Sequence, residues 1–255
     1  MPHDRDSAVM PGAEPFSAPG GPHGTLVVHG FTGTPQSMRG LATAFAAAGY
    51  AVELPRLPGH GTSVDDMATT TFADWSAAVE RAYDDLAGRC ERVVVSGLSM
   101  GATLSAWLAV RHPEIAGLVV INGAFAPPEP NMRDGLEQLV AQGVARIPGI
   151  GNDVADPDQT ELAYAEVPPA QLLSLLDELE TLQTELSQIR CPSLVITSDN
   201  DHVVQPASSD YYAEHVGGPV ERMRLLRSFH VATLDYERTD LEAAAVAFAG
   251  RVTGS

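Results

Sequence analysis

Short apolar runs alternate along this chain with longer stretches of helical periodicity. The runs cover residues 25–28, 51–54, 93–95, 118–121, 194–197 and 222–226, and the helical patterns cover 35–48, 72–87, 100–111, 169–189, 206–215 and 239–252. Near-continuous apolar runs are typical of strands that are buried on both faces of a parallel sheet. Repeated strand-then-helix units predict an α/β fold, with a mostly parallel twisted sheet and flanking helices.

One connection is too long for an ordinary crossover. Residues 123–191 carry proline and glycine punctuation, and a helix over 131–146, a Pro-Gly-Ile-Gly turn and an extended stretch to 164 account for much of it. We predict a single domain over residues 1–255, with a small cap over about 124–168 inserted after the sixth strand. A leucine stripe over 172–186 follows, which we interpret as core with only its first turn lining a pocket.

Charge and apolar content restrict the partners. The chain has 33 acidic and 15 basic residues, a formal net charge of −18. Such a surface repels nucleic acid and anionic lipid, so we expect a small neutral molecule as the partner. Residues 1–24 contain no apolar run long enough for a signal peptide, no segment approaches a membrane span, and the two cysteines predict no disulfide. The expected location is the cytoplasm.

The segment Gly97-Leu98-Ser99-Met100-Gly101 lies between an apolar run and a helical pattern. A serine at such a sharp strand-to-helix turn is the nucleophile elbow of hydrolytic enzymes, because the helix N-terminus behind it offers N–H groups to a developing negative charge. The pentapeptide alone also fits a glycine-rich turn without a catalytic role. The strand before it and the helix after it favour Ser99 as a nucleophile.

A nucleophilic serine needs a base, and that base needs an acid that orients it. Asp201 and His230 follow two later strands, in the chain order serine, aspartate, histidine. Asp199 competes for the acid role, and Asp201 is favoured because the next helix then begins at the usual offset. His202 is an alternative base, but its place beside the acid indicates a surface or supporting residue.

The loop after the first predicted strand, His29-Gly30-Phe31-Thr32-Gly33, lies where this type of fold places an oxyanion donor. We predict the backbone N–H groups of Phe31 and Met100 as the donor pair. His29 and His60 are interpreted as buried structural imidazoles that bond loop backbone.

Taken together, these motifs resemble the small bacterial carboxylesterases and monoacylglycerol lipases of the α/β-hydrolase superfamily. The resemblance covers most of the chain, through residues 12–16, 29–38, 58–62, 97–101, 148–151, 161–164, 201–204 and 230–235. It implies the same triad and oxyanion pair, with Ile150 at the bend of the cap over the pocket and Glu161 facing the glycerol hydroxyls. A solvated loop charge is the alternative for Glu161. Residues 156–160 depart from the family pattern, being more acidic and carrying a proline.

The function expected from this resemblance is hydrolysis of monoacylglycerols to glycerol and fatty acid through an acyl-enzyme, without metal or cofactor. The partner would be a small acyl ester, with at most transient contact with lipid aggregates and no integral membrane association. A general carboxylesterase is the alternative, ahead of a thioesterase, an acyltransferase or a non-enzymatic ligand receptor on this fold. A dehalogenase is disfavoured because its nucleophile would be an aspartate.

Overall fold

The computed structural model describes residues 8–254; residues 1–7, part of the segment searched for a signal peptide, lie outside them. The strands are β1 Phe16–Ala18, β2 His23–Val28, β3 Ala51–Leu54, β4 Arg92–Leu98, β5 Gly117–Ile121, β6 Ile147–Pro148, β7 Glu166–Val167, β8 Ser193–Ser198 and β9 Val220–Leu225. The helices are α1 Arg39–Ala47, α2 Val64–Met67, α3 Phe72–Ala87, α4 Met100–Arg111, α5 Met132–Ala141, α6 Pro169–Glu185, α7 Ala207–His215 and α8 Arg238–Thr253, with 3₁₀ turns at Pro35–Met38 and Leu186–Gln188.

Seven strands form one sheet in the order β1-β3-β2-β4-β5-β8-β9. All neighbours pair in parallel except β1, which runs antiparallel to β3 at the edge. The predicted α/β fold is confirmed. The three residues of β1 were missed because an edge strand this short, with an exposed residue at its centre, carries no continuous apolar run.

Two apolar cores lie on opposite faces of the sheet. Successive strand residues point to opposite faces, so Val93 and Val95 pack in one core with α3, α4 and α6, whereas Val94 packs in the other with α1 and α8. This division explains the near-continuous apolar runs within the central strands, such as Val93–Val95 in β4 and Leu118–Ile121 in β5. No helix within residues 8–254 has both the length and the apolarity required to span a membrane.

The long insertion leaves the sheet after β5. Only five strands precede it within residues 8–254, so the predicted position after the sixth strand is wrong by one. The difference lies at the N-terminal edge of the sheet, where β1 is the one strand before β2 among these residues. The insertion contains α5 and the antiparallel pair β6–β7. Helix α5 ends at Ala141, five residues before the predicted end, because Gly143 adopts a left-handed φ of 74° that stops the helix.

The leucine stripe on α6 serves two surfaces. Leu176 and Leu179 pack with Leu136 of α5 in a small separate core, while Leu175 and Leu182 join the main core. Four leucines, Leu172, Leu175, Leu176 and Leu179, also line a cavity. The pocket-lining part therefore extends over two turns, further than the single turn predicted, because α5 leaves this face of α6 partly uncovered.

Candidate active site

Ser99 occupies a strained turn between β4 and α4. Its φ of 55° and ψ of −121° lie where residues other than glycine are rare, so the surrounding structure holds it there. A Cβ at Gly97 would lie 2.1 Å from the Gly101 carbonyl oxygen, and one at Gly101 would lie 2.2 Å from the Val28 carbonyl oxygen. The two glycines of the motif are therefore required for α4 to approach the sheet this closely.

Asp201 and His230 meet across the loops that follow β8 and β9. The Nδ1 atom of His230 donates to Asp201 Oδ2 at 2.7 Å, and the two side chains are only 9% and 1% exposed. The other carboxylate oxygen of Asp201 accepts the backbone N–H groups of Val203 and Val204, both at 2.8 Å. These bonds fix the carboxylate and leave Nε2 as the ring nitrogen of His230 that can take a proton.

The competing residues lie elsewhere. Asp199 forms a surface ion pair with Arg224 at 2.5 Å and does not contact His230. The His202 ring is 59% exposed and pairs with Asp153 at 2.8 Å. The geometry therefore brings together Asp201 and His230, the two residues that the loop offsets favoured.

The two predicted oxyanion donors lie in different elements. Phe31 is in the loop after β2, and Met100 is the first residue of α4. Neither the Phe31 N–H nor the Met100 N–H has a hydrogen-bond acceptor within residues 8–254. Thr32 next to Phe31 has a left-handed φ of 61°, which marks a second strained turn beside Ser99. Both N–H groups are thus available to an oxyanion at the cavity wall.

His29 and His60 are buried below this loop, as predicted. His29 Nδ1 donates to the Gly30 carbonyl oxygen at 2.9 Å and its Nε2 accepts the Leu57 N–H at 3.2 Å. Burial, reinforced by the nearby His60, lowers the pKa of His29 to about 3. Burial also lowers the pKa of His60 to about 4. Both imidazoles are neutral near pH 7 and act as supports for the loop, which confirms their structural interpretation.

A cavity of about 550 Å³ opens at the carboxyl edge of the sheet, between the sheet and the insertion. Six of the seven predicted site residues line it: Phe31, Ser99, Met100, Ile150, Glu161 and His230. Asp201 lies behind His230. The rest of the wall is mainly apolar and includes Leu136, Ile147, Leu172, Leu175, Leu176 and Leu179. This size and lining fit a small apolar ligand with one polar end.

Glu161 places a carboxyl group on the wall of this cavity. The carboxyl has no hydrogen-bond partner within residues 8–254, and burial raises its pKa to about 7, an effect that the nearby His230 partly offsets. Its backbone N–H donates to Asn152 Oδ1 at 2.8 Å. Gln36 holds both neighbours, donating to the Thr160 carbonyl oxygen at 3.0 Å and accepting the Leu162 N–H at 3.0 Å. Ile150, by contrast, is 68% exposed at the cavity mouth.

The sequence analysis missed Asn122, which directly follows β5 and links it to the end of β8 and to the loop after β9. Its side chain accepts the Ser198 N–H at 2.8 Å and donates to the His230 carbonyl oxygen at 2.7 Å, and its own φ is 44°. The only signal available in the sequence was its position directly after β5, at the edge where the site lies. Gln36 and Asp153 gave no signal, because their roles depend on contacts between segments far apart in the chain.

Within residues 8–254, no group of three or more His, Cys, Asp or Glu side chains converges in a way that could hold a metal ion. The arrangement around Ser99 can perform nucleophilic chemistry. An oriented imidazole, a strained serine and two unpaired backbone donors face one apolar cavity, which is the set of groups needed for acyl transfer.

Comparison with known proteins agrees with this geometry. The profile of the serine aminopeptidase S33 family matches residues 22–230. The chain is 47% identical to a thermostable monoacylglycerol lipase of Bacillus sp. (strain H-257), over 90% of this chain and 91% of that protein.

Two solved structures extend the likeness. One comes from a study of the metagenome-derived lipolytic enzymes LipS and LipT, with 40% identity, a TM-score of 0.91 and coverage of 96% of this chain and 100% of that one. A monoacylglycerol lipase of Paleococcus ferrophilus shares the fold, with a TM-score of 0.77 at 19% identity over 95% of this chain and all of that one. The predicted resemblance to monoacylglycerol lipases and carboxylesterases of the α/β-hydrolase superfamily is confirmed, and the chain belongs to the family described as serine aminopeptidase S33.

Proposed function

We propose that this protein is a serine hydrolase that cleaves monoacylglycerols to glycerol and a fatty acid. The observation that carries the proposal is the cavity itself. It is apolar over most of its wall and large enough for an acyl chain, and it holds Ser99, His230 and the unpaired carboxyl of Glu161. The 47% identical lipase from Bacillus, which covers nearly the whole chain, supports the same substrate class.

In the proposed mechanism, Ser99 Oγ attacks the ester carbonyl carbon while His230 Nε2 accepts its proton. The carbonyl oxygen becomes an oxyanion between the N–H groups of Phe31 and Met100, and Asp201 stabilises the imidazolium through Nδ1. The C–O bond to glycerol then breaks as His230 returns the proton to the leaving oxygen. A water molecule, activated by the same histidine, hydrolyses the acyl-enzyme and restores Ser99.

We assign the two ends of the substrate to two parts of the cavity. The leucines of α6 offer an apolar surface for the acyl chain, and Glu161 offers hydrogen bonds to the two free hydroxyls of glycerol. A carboxyl group that is partly withdrawn from water and has no partner gains most from a ligand that supplies one. A diacylglycerol keeps only one of these hydroxyls and a triacylglycerol neither, and both add acyl chains that a 550 Å³ cavity has no room to enclose.

Replacement of Glu161 by Gln tests the leaving-group assignment. We expect kcat/KM for a glyceryl monoester to fall about ten-fold relative to the methyl ester of the same acid, because one glycerol contact is weakened. Turnover of p-nitrophenyl esters should change little. Glu129→Gln is a matched control, since Glu129 also borders the cavity but lies exposed. Equal losses on all three ester types would mean that Glu161 only supports the cap.

The same variant should change how stability depends on pH. Because the folded-state pKa of Glu161 is raised from 4.5 to about 7, folding favours the protonated form, and wild-type stability falls as pH rises from 4.5 through 7. Glu161 is partly exposed, and screening by solvent weakens the effect of its burial. We therefore expect the raised pKa to change the free energy of unfolding by about 2 kcal/mol. Urea unfolding should show Glu161→Gln more stable than wild type by this amount at pH 8 but not at pH 4.5. A difference that stays constant with pH would contradict the buried-carboxyl description.

A further inference from the structure

The carboxylate of Asp153 connects the cap to both loops that carry the acid and the base. Asp153 Oδ2 accepts the backbone N–H of His230 at 3.0 Å and that of His202, the residue after Asp201, at 3.2 Å. Asp153 Oδ1 pairs with His202 Nδ1 at 2.8 Å. The backbone carbonyl oxygen of Asp153 also accepts the Val231 N–H at 3.1 Å. One cap residue therefore receives four hydrogen bonds from the two loops.

The position of this side chain is enclosed and close to the reaction. The side chain is 12% exposed, and Asp153 contributes to the wall of the cavity that contains Ser99. Asp235 continues the attachment, since its carboxylate accepts the N–H groups of Ala155 at 2.7 Å, Asp156 at 3.1 Å and Phe229 at 2.8 Å. The cap segment is thus held at Asp153 by the base loop and at Ala155 and Asp156 by Asp235, which also binds Phe229 of that loop.

We infer that Asp153 is a positioning residue for His230, supplied by the cap. It fixes the base loop relative to the acid loop, so that the His230 ring stays aligned with Asp201, and it places a second negative charge beside the histidine that becomes a cation during the reaction. The inference rests on the proposed role of His230 as the base. It does not depend on the identity of the ester's alcohol.

The sign of the electrostatic effect follows from the groups that face His230. Asp201 contacts its ring, Glu161 lies close enough to interact with its charge, and Asp153 contacts its backbone, with His202 behind Asp153. A nearby negative charge favours the protonated imidazole. Removing the charge of Asp153 should therefore weaken stabilisation of the imidazolium that forms during the reaction, and the acid limb of the kcat/KM profile should move to lower pH.

The test compares Asp153→Asn, Asp153→Ala and wild type on a p-nitrophenyl ester from pH 5 to pH 9, with the Tm of each variant. We expect kcat to fall about ten-fold in Asp153→Asn and further in Asp153→Ala, because one and then both acceptor oxygens are lost. The acid limb should move about half a pH unit lower in both.

Arg146→Ala is the control, because Arg146 pairs with Asp65 of α2 outside the cap and with Glu166 of β7 within it, and neither partner belongs to the triad. It should loosen the cap yet leave the acid limb where it is. A lower Tm in the Asp153 variants with an unmoved limb and a normal kcat would overturn the inference, as would an equal shift in Arg146→Ala. Because the substrate is a p-nitrophenyl ester, failure here is distinct from failure of the monoacylglycerol assignment, which glyceryl esters test.

Discussion

Replacing Ser99 with alanine is expected to reduce ester hydrolysis by about 10³-fold or more, while the Tm stays near that of wild type. The change deletes a single hydroxyl. Serine and alanine both carry a Cβ and are strained to a similar degree at the positive φ of this turn, so the fold should persist without its nucleophile. Any residual rate would come from the oxyanion donors and binding. The measurement is kcat/KM on a p-nitrophenyl ester, with labelling by a serine-directed organophosphonate.

Ser105→Ala is the matched control for this variant. Ser105 lies on the same helix, α4, and its hydroxyl donates to the Gly101 carbonyl oxygen at 2.7 Å without reaching the cavity. It should retain both activity and phosphonate labelling. Near-normal turnover by a homogeneous Ser99→Ala preparation would remove Ser99 as the nucleophile.

Asp201→Asn is expected to lower kcat by roughly 10³- to 10⁴-fold. An amide can still accept from Val203 and Val204, but it no longer supplies the anion that holds His230 Nδ1–H and stabilises the imidazolium. Substrate binding should change much less than kcat, because Asp201 lies behind His230 and not on the cavity wall.

Asp199→Asn provides the comparison on the same loop. It removes only a surface ion pair with Arg224, and such exposed pairs contribute about 1 kcal/mol or less to stability. Its kcat should stay within about two-fold of wild type, because the residue does not contact the triad. If kinetics gave the reverse order, with Asp199→Asn the severe variant, the acid role would belong to Asp199.

The fold and the placement of Ser99, Asp201 and His230 were predictable because both depend on short-range sequence patterns, namely apolar periodicity and position directly after a strand. The alternation of apolar runs and helical patterns reports burial of the central strands on both faces, and the carboxyl ends of parallel strands meet at one edge. Ser99, Asp201 and His230 each follow such a strand, so their convergence follows from topology. The choice of Asp201 over Asp199 rested on the offset to α7, which the loop geometry supports.

The supporting residues could not be read in the same way. Asn122 contacts Ser198 and His230, 76 and 108 positions away in the sequence, and Asp153 contacts His230 at a separation of 77. Such pairs depend on where a loop lies after folding, and no local periodicity encodes them. The early end of α5 and the extended pocket-lining face of α6 depend in the same way on one left-handed glycine and on incomplete cover by a neighbouring helix.

The central claim is that the cavity around Ser99 selects monoacylglycerols, and the most direct measurement is a wild-type comparison at one acyl length. The substrates are the 1-monoacylglycerol, the methyl ester, the diacylglycerol and the triacylglycerol, and the quantity is kcat/KM for release of the fatty acid. We predict the highest value for the monoacylglycerol, a lower one for the methyl ester and near-zero values for the other two. Triacylglycerol hydrolysis at a comparable rate, or no preference for the glyceryl over the methyl ester, would contradict the account.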